Sequence, residues 1–238
     1  MTNQKERQMD MPGDVEYHGR GLWFEVGVFL FLVLPSIALS FFAVKQGSLS
    51  FNLTAAATIL RDLGLVALIV YFFWCKGESL NRLGWRWQNY PREILLGAVL
   101  YIPMNFAAGF IEMGLIHAGF SSPKAPLPGL EATGSIFESL LGFVLVAVVA
   151  FAEETMFRGY LILRFKEITS SETLAVILAT IIFAFGHGYE GTAGVGTVGF
   201  LGLVFALVYL WRGSLVAPMT MHFLQDFLGI VLAPLLSK

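Results

Sequence analysis

Leu140–Arg158 reads LLGFVLVAVVAFAEETMFR, an uncharged run that ends abruptly in Glu153, Glu154 and Arg158. Two adjacent carboxylates inside an apolar helix cost about 2.5–3.5 kcal/mol each on insertion scales, so they need a partner or a purpose. Helix geometry separates them. Glu154 and Arg158 share a face, which makes an i,i+4 pair natural. Glu153 lies about 100° further round the helix and cannot easily join that pair. One carboxylate is therefore held by an arginine, and the other is left to face something else.

The rest of the chain fits a membrane setting for that helix. It has 238 residues, 56% hydrophobic and 13% charged, with a mean hydropathy of +0.72. Soluble domains carry about 25% charged residues, so this chain cannot be solvated on all sides. A multi-pass membrane protein is the class that fits. The formal net charge of −2 says little about partners, and nothing points to nucleic acid. Cys75 is the single cysteine, which excludes an internal disulfide. Met1–Arg20 is polar and lacks the short apolar core and small-residue cleavage site of a signal peptide, so the first helix is expected to stay as an anchor.

About 20 apolar residues cross a bilayer core. Seven segments qualify: 22–44, 53–75, 94–116, 136–165, 173–188, 193–211 and 215–236. The fifth is short and the fourth is long. The expected fold is an all-α polytopic bundle of seven transmembrane helices, or eight if one segment is broken. Residues 1–21 form a polar tail and 22–238 a single transmembrane domain. The connection 122–129, SPKAPLPG, is marked by prolines and glycine. Lysine and arginine alternate between rich and poor connections along the chain. That alternation predicts a cytoplasmic N-terminus and a cytoplasmic 166–172 loop.

Other charges in these segments have plain structural readings. Glu25 falls near an interface, and Arg61 and Asp62 are expected to pair with neighbours. Glu138 precedes Glu153 by about 22 Å of helix, too far to share its site. Leu83–Trp87 reads as an interfacial aromatic anchor.

Three polar residues are harder to excuse. His187 ends the run IIFAFGH, and His222 and Asp226 lie four apart in HFLQD. Counted along straight helices, Glu153 lies about 20 Å from the 166–172 loop, His187 about 21 Å up the neighbouring helix, and His222 and Asp226 at about 12 and 18 Å. They fall in one layer. A buried Glu and His at one level make a general-base arrangement that can deprotonate water. Glu153, His187 and His222 with a water would equally make a catalytic zinc shell. The sequence leaves both open.

Glu153-Glu-x-x-x-Arg158 followed by Gly159, then Phe183-x-x-x-His187, then His222-x-x-x-Asp226, resemble in order the three motifs of the CPBP family. That family comprises the CAAX prenyl proteases of the Ras-converting-enzyme type and the related bacteriocin-processing and self-immunity proteins. The resemblance covers about 135–230. It implies an intramembrane endopeptidase acting on a membrane-anchored protein or peptide, with prenylation of that substrate left open. Glu153 and His187 would activate water, His222 and Asp226 would serve the oxyanion side, and Glu154 and Arg158 would support the site. The prenyl proteases have Asn where this chain has Asp226. An ionised Asp cannot donate to an oxyanion, so orientation of His222 is the expected role. A catalytically silent immunity or scaffolding protein, and a proton-coupled transporter, are the competing readings. Against transport, the two halves lack paired Gly- or Pro-broken helices.

Overall fold

The computed structural model describes residues 12–43, 50–122 and 135–236. Most of the polar N-terminal tail and the proline-marked connection after Ser122 lie outside the described residues. The described secondary structure is entirely helical. We number the helices α1 (Pro12–Ala43), α2 (Phe51–Lys76), α3 (Tyr90–His117), α4 (Ile136–Thr169), α5 (Glu172–Gly186), α6 (Gly191–Arg212) and α7 (Val216–Leu232). These match the seven expected segments. α2, α3 and α4, α1 from Gly21 to Phe41, and α6 with the turn before it are long and apolar enough to cross a membrane. α5 and α7 are shorter.

Local chemistry sets the ends. Ser50, Ser135 and Ser171 cap α2, α4 and α5, each hydroxyl accepting a backbone N–H from the first turn, the usual way to satisfy those orphan donors. Gly77 and Gly213 close α2 and α6 at φ 63° and 62°, left-handed positions that glycine takes without a Cβ clash. The outer surface is apolar: Phe31 is 75% exposed and Leu60 72%, as lipid-facing side chains should be.

α4 is the central element, packed by α2 on one side and by α5 and α7 on others. It is not a uniform helix. Ile136–Glu153 is α-helical, Glu154–Leu161 is π-helical, and Ile162–Thr169 is α-helical again. The wide turn thus begins directly after Glu153. Thr155 contributes to it, since its hydroxyl donates to the Phe151 carbonyl at 2.7 Å, a side-chain bond that competes with the regular ladder. Every residue of the π-helical stretch is buried.

The connection from α2 to α3 does not stay at the surface. Its short 3₁₀ turn, Leu80–Leu83, buries Leu83 completely. Trp85, expected as an interfacial anchor, instead packs on Phe151 at 5.4 Å and donates from Nε1 to Thr155 Oγ1 at 3.1 Å. Trp87 remains outside, 55% exposed. The backbone of this connection is paired within the protein: Leu215 N–H donates to the Gly84 carbonyl at 3.1 Å, and the Ser214 hydroxyl to the Arg86 carbonyl at 3.1 Å. Irregular backbone buried away from water needs such partners. Gly159 makes room for it, because a Cβ there would lie 2.7 Å from the Leu83 carbonyl oxygen.

Below the π-helical turn, Arg164 of α4 is fully buried in an ionic cluster. It donates to Glu25 of α1 at 2.8 Å, to both oxygens of Glu78 at 3.0 and 3.1 Å, and to Glu167 at 2.9 Å. Lys76 pairs with Glu25, and Arg82 with Glu78 and Glu167. Glu25 is therefore a buried clamp between α1 and α4.

Candidate active site

The site is built on the middle of α4, with α5, α6 and α7 supplying its other walls. Glu154 and Arg158 form the expected pair, Nη1 donating to Oε1 at 2.8 Å. Both are buried, at 0% and 2% exposure. Arg158 Nη2 also donates to the Gly202 carbonyl of α6 at 3.2 Å. Its guanidinium lies 4.0 Å from the centre of the Phe183 ring and 5.2 Å from that of Phe205, positions favoured by the negative ring faces. Gly202 must be small: a Cβ there would meet Phe183 Cδ1 at 2.8 Å and Arg158 Nη2 at 3.1 Å.

The same Glu154 oxygen also holds His222, whose Nδ1 lies 2.9 Å away. The sequence reading gave Glu154 only Arg158 as a partner. In the structure it links α4 to α7 as well. The His222 ring stacks on Phe205 at 5.4 Å, which fixes its plane. Its Nε2 is 3.4 Å from Asp226 Oδ2 and 3.8 Å from Glu153 Oε2. Both ring nitrogens thus face carboxylate oxygens, and the ring can donate to both sides only when both nitrogens carry protons.

Glu153 is placed differently from its neighbour. Its side chain retains 13% exposure against 0% for Glu154. Its Oε2 has no hydrogen-bond partner among the described residues. Asp226 is open too, at 23%, and a second π-helical stretch, Phe227–Leu232, begins directly after it. Both motif carboxylates therefore stand immediately before a widened turn, a feature common at functional sites.

His187 closes α5 as its C-terminal cap. Its Nδ1 lies 3.0 Å from the Phe183 carbonyl, leaving Nε2 as the outward nitrogen. The ring is half-buried, 4.9 Å from the Phe183 ring and 5.7 Å from that of Tyr189. Phe183 also lies 6.0 Å from the His222 ring, so it touches both histidines. The structure brings His187 to the same wall but forms no hydrogen bond or ion pair between it and Glu153. The described ring contacting Glu153 is His222.

The possible zinc shell of Glu153, His187 and His222 is not gathered as a ligand set. Among the described residues no three of His, Cys, Asp or Glu converge where a metal ion could be held. His222 has Nδ1 committed to Glu154, and His187 has Nδ1 on the Phe183 carbonyl.

Two residues of α2, expected only to pair with neighbours, come within electrostatic reach of this site. Asp62 is fully buried, with Oδ1 accepting from Arg61 Nε at 2.9 Å and facing Nη2 at 2.8 Å. Its Oδ2 has no partner among the described residues. Both side chains lie within electrostatic reach of Glu153. The signal available in the sequence was two adjacent charges ten residues into an apolar helix.

The family model described as type II CAAX prenyl endopeptidase, Rce1-like, matches residues 135–228. No curated protein and no solved structure matches the chain significantly. The matched segment carries Glu153, Glu154, Arg158, His187, His222 and Asp226, and the five long apolar helices make the chain an integral membrane protein. Over residues 135–228 the chain is thus similar to the Rce1-like type II CAAX prenyl endopeptidases, which supports a kinship with the CPBP group of intramembrane proteases.

Proposed function

We propose that the chain hydrolyses a peptide bond near the C-terminus of a membrane-anchored, CAAX-type substrate, with Glu153 as the general base. One observation carries this reading. Glu153 keeps an oxygen without a hydrogen bond at the edge of the buried layer, 13% exposed and 3.8 Å from His222 Nε2, while Glu154 beside it is fully enclosed and its Oε1 holds both Arg158 and His222. A base must keep a lone pair for the proton it takes.

In the proposed sequence of events, Glu153 takes a proton from a water molecule, with His187 Nε2 facing the same space to position that water. The resulting hydroxide attacks the scissile carbonyl. His222 donates from Nε2 to the oxygen on which charge develops, because Glu154 fixes its Nδ1 and Phe205 its plane. Asp226, 3.4 Å from that Nε2, orients His222 and does not donate itself. The proton held by Glu153 then passes to the leaving amine as the C–N bond breaks. Every step uses side chains of this chain.

The test is cleavage of membrane-tethered and prenylated peptides by the purified protein in detergent, with Glu153→Ala and His187→Ala beside it and chelator in parallel. General-base catalysis contributes typically 10²–10⁴-fold. Glu153→Ala is expected to lose roughly that factor and His187→Ala a comparable one, with wild-type cleavage retained in chelator. Undiminished cleavage by Glu153→Ala would overturn the assignment. Loss in chelator, restored by zinc, would replace the metal-free mechanism.

A further inference from the structure

The residues matched to the family include four cations, and none is available to an anionic ligand in the site. Arg158 is committed to Glu154, Arg164 to Glu25, Glu78 and Glu167, Lys166 to Glu172, and Arg212 to Glu93. The remaining ionisable groups near Glu153 are mostly acidic: Asp62, Asp226 and Glu154. Arg61 differs from all of these. It lies ten residues into α2, about 15 Å along the helix, and its side chain is 46% exposed. An exposed guanidinium at that depth is costly in lipid and marks function when it faces a polar space. Asp62 holds it by Nε and Nη2. Nη1 has no partner among the described residues, so a fixed fork edge remains unfilled within electrostatic reach of Glu153 and Tyr189. Asp62 supplies the second observation. It is fully buried, and its Oδ2 is an acceptor without a donor. Donor and acceptor stand side by side.

We propose that Arg61 and Asp62 anchor the free C-terminus of the peptide substrate, Arg61 Nη1 taking the terminal carboxylate and Asp62 Oδ2 a nearby peptide N–H. This rests on the proteolytic reading above. A CAAX sequence is the last four residues of its chain, so its end is a carboxylate. A planar guanidinium recognises that group with directional, charge-assisted hydrogen bonds. The anchor lies on α2, outside the segment that carries the candidate catalytic residues. Recognition of the terminus and cleavage of the bond are thereby assigned to different helices.

The experiment compares two peptides, identical except for a free C-terminal acid or a carboxamide, in nanodiscs. Wild type is expected to favour the acid by roughly ten- to a hundredfold in kcat/KM. Arg61→Gln should bring that ratio near one, and Arg61→Lys should restore part of it. Binding of the same labelled peptides to Glu153→Gln protein reads the anchor without cleavage and should show the same ratio, lost on adding Arg61→Gln. Equal handling of acid and amide by wild type, or a ratio unchanged in Arg61→Gln, would overturn the proposal. If neither peptide is cleaved but acid is bound over amide through Arg61, the anchor stands and the proteolytic reading falls. If neither is bound or cleaved, both fall. An Arg61 dependence that follows the anionic lipid content of the disc and not the peptide terminus would assign the residue to a lipid phosphate and overturn the proposal.

Discussion

Two buried arginines sit six residues apart on α4, and their surroundings differ in one respect. Around Arg164, every carboxylate oxygen of Glu25, Glu78 and Glu167 faces a cation from Arg164, Lys76 or Arg82. Around Arg158, acceptors outnumber donors. Glu154 Oε1 takes both Arg158 and His222, Glu154 Oε2 and the nearby Asp62 Oδ2 have neither hydrogen bond nor ion pair among the described residues, and Glu153 Oε2 has only the 3.8 Å approach of His222 Nε2. Buried polar groups are normally satisfied, and those left over need an explanation. The charge-matched cluster ties α1, α2 and α4 together: even Glu25 Oε2, which accepts no hydrogen bond, faces Lys76. The unsaturated one keeps lone pairs open where the enclosure thins, and that marks it as the place for chemistry.

This contrast can be broken by substitutions that act on one cluster and spare the other. The largest loss of stability is expected for Arg164→Ala, which strands Glu25 and its partners. Removing one member of a buried pair costs about 3–5 kcal/mol, and thermal unfolding in detergent should show it as a large drop in Tm. Glu154→Gln should cost less, about 1–3 kcal/mol, because Arg158 keeps the Gly202 carbonyl. Its loss of cleavage should exceed what the stability change explains, since His222 is released. Gly202→Ala should cost about 1–3 kcal/mol by overpacking against Phe183 and Arg158, read by the same unfolding measurement. Trp85→Phe removes a single donor to Thr155 and should cost about 1 kcal/mol. A cost for Trp85→Phe equal to that of Arg164→Ala would mean that the entering connection, not the ionic cluster, holds the bundle.

Much of the bundle was legible because hydropathy reports burial in lipid directly, and all seven segments appear as helices. The Glu154–Arg158 pair was legible because i,i+4 geometry is local. Partners across helices were not. Counting residues fixes the level of a side chain along an axis but not its rotation about that axis. That is why Glu153 was aimed at His187 and is found nearer His222. The π-helical turn after Glu153 changes the rotation further, and no residue pattern announced it. Trp85 looked like a membrane anchor because tryptophan favours interfaces; its place was decided by hydrogen bonds to its connection from the Ser214 hydroxyl and the Leu215 N–H. The charge count behind the predicted orientation included Arg158 and Arg164, which are buried in ion pairs, so of that group only Lys166 is exposed.

The central claim is that Glu153 is kept unpaired for catalysis, at little benefit to the fold. Glu153→Gln and Arg164→Gln, prepared side by side and assayed for both peptide cleavage and thermal unfolding, test it most directly. Glu153→Gln should lose about 10²–10⁴-fold in rate with Tm within a few degrees of wild type. Arg164→Gln should lose Tm, and molecules that remain folded should still cleave. A Glu153→Gln protein that melts early, or one that is stable and still cleaves at the wild-type rate, would contradict it.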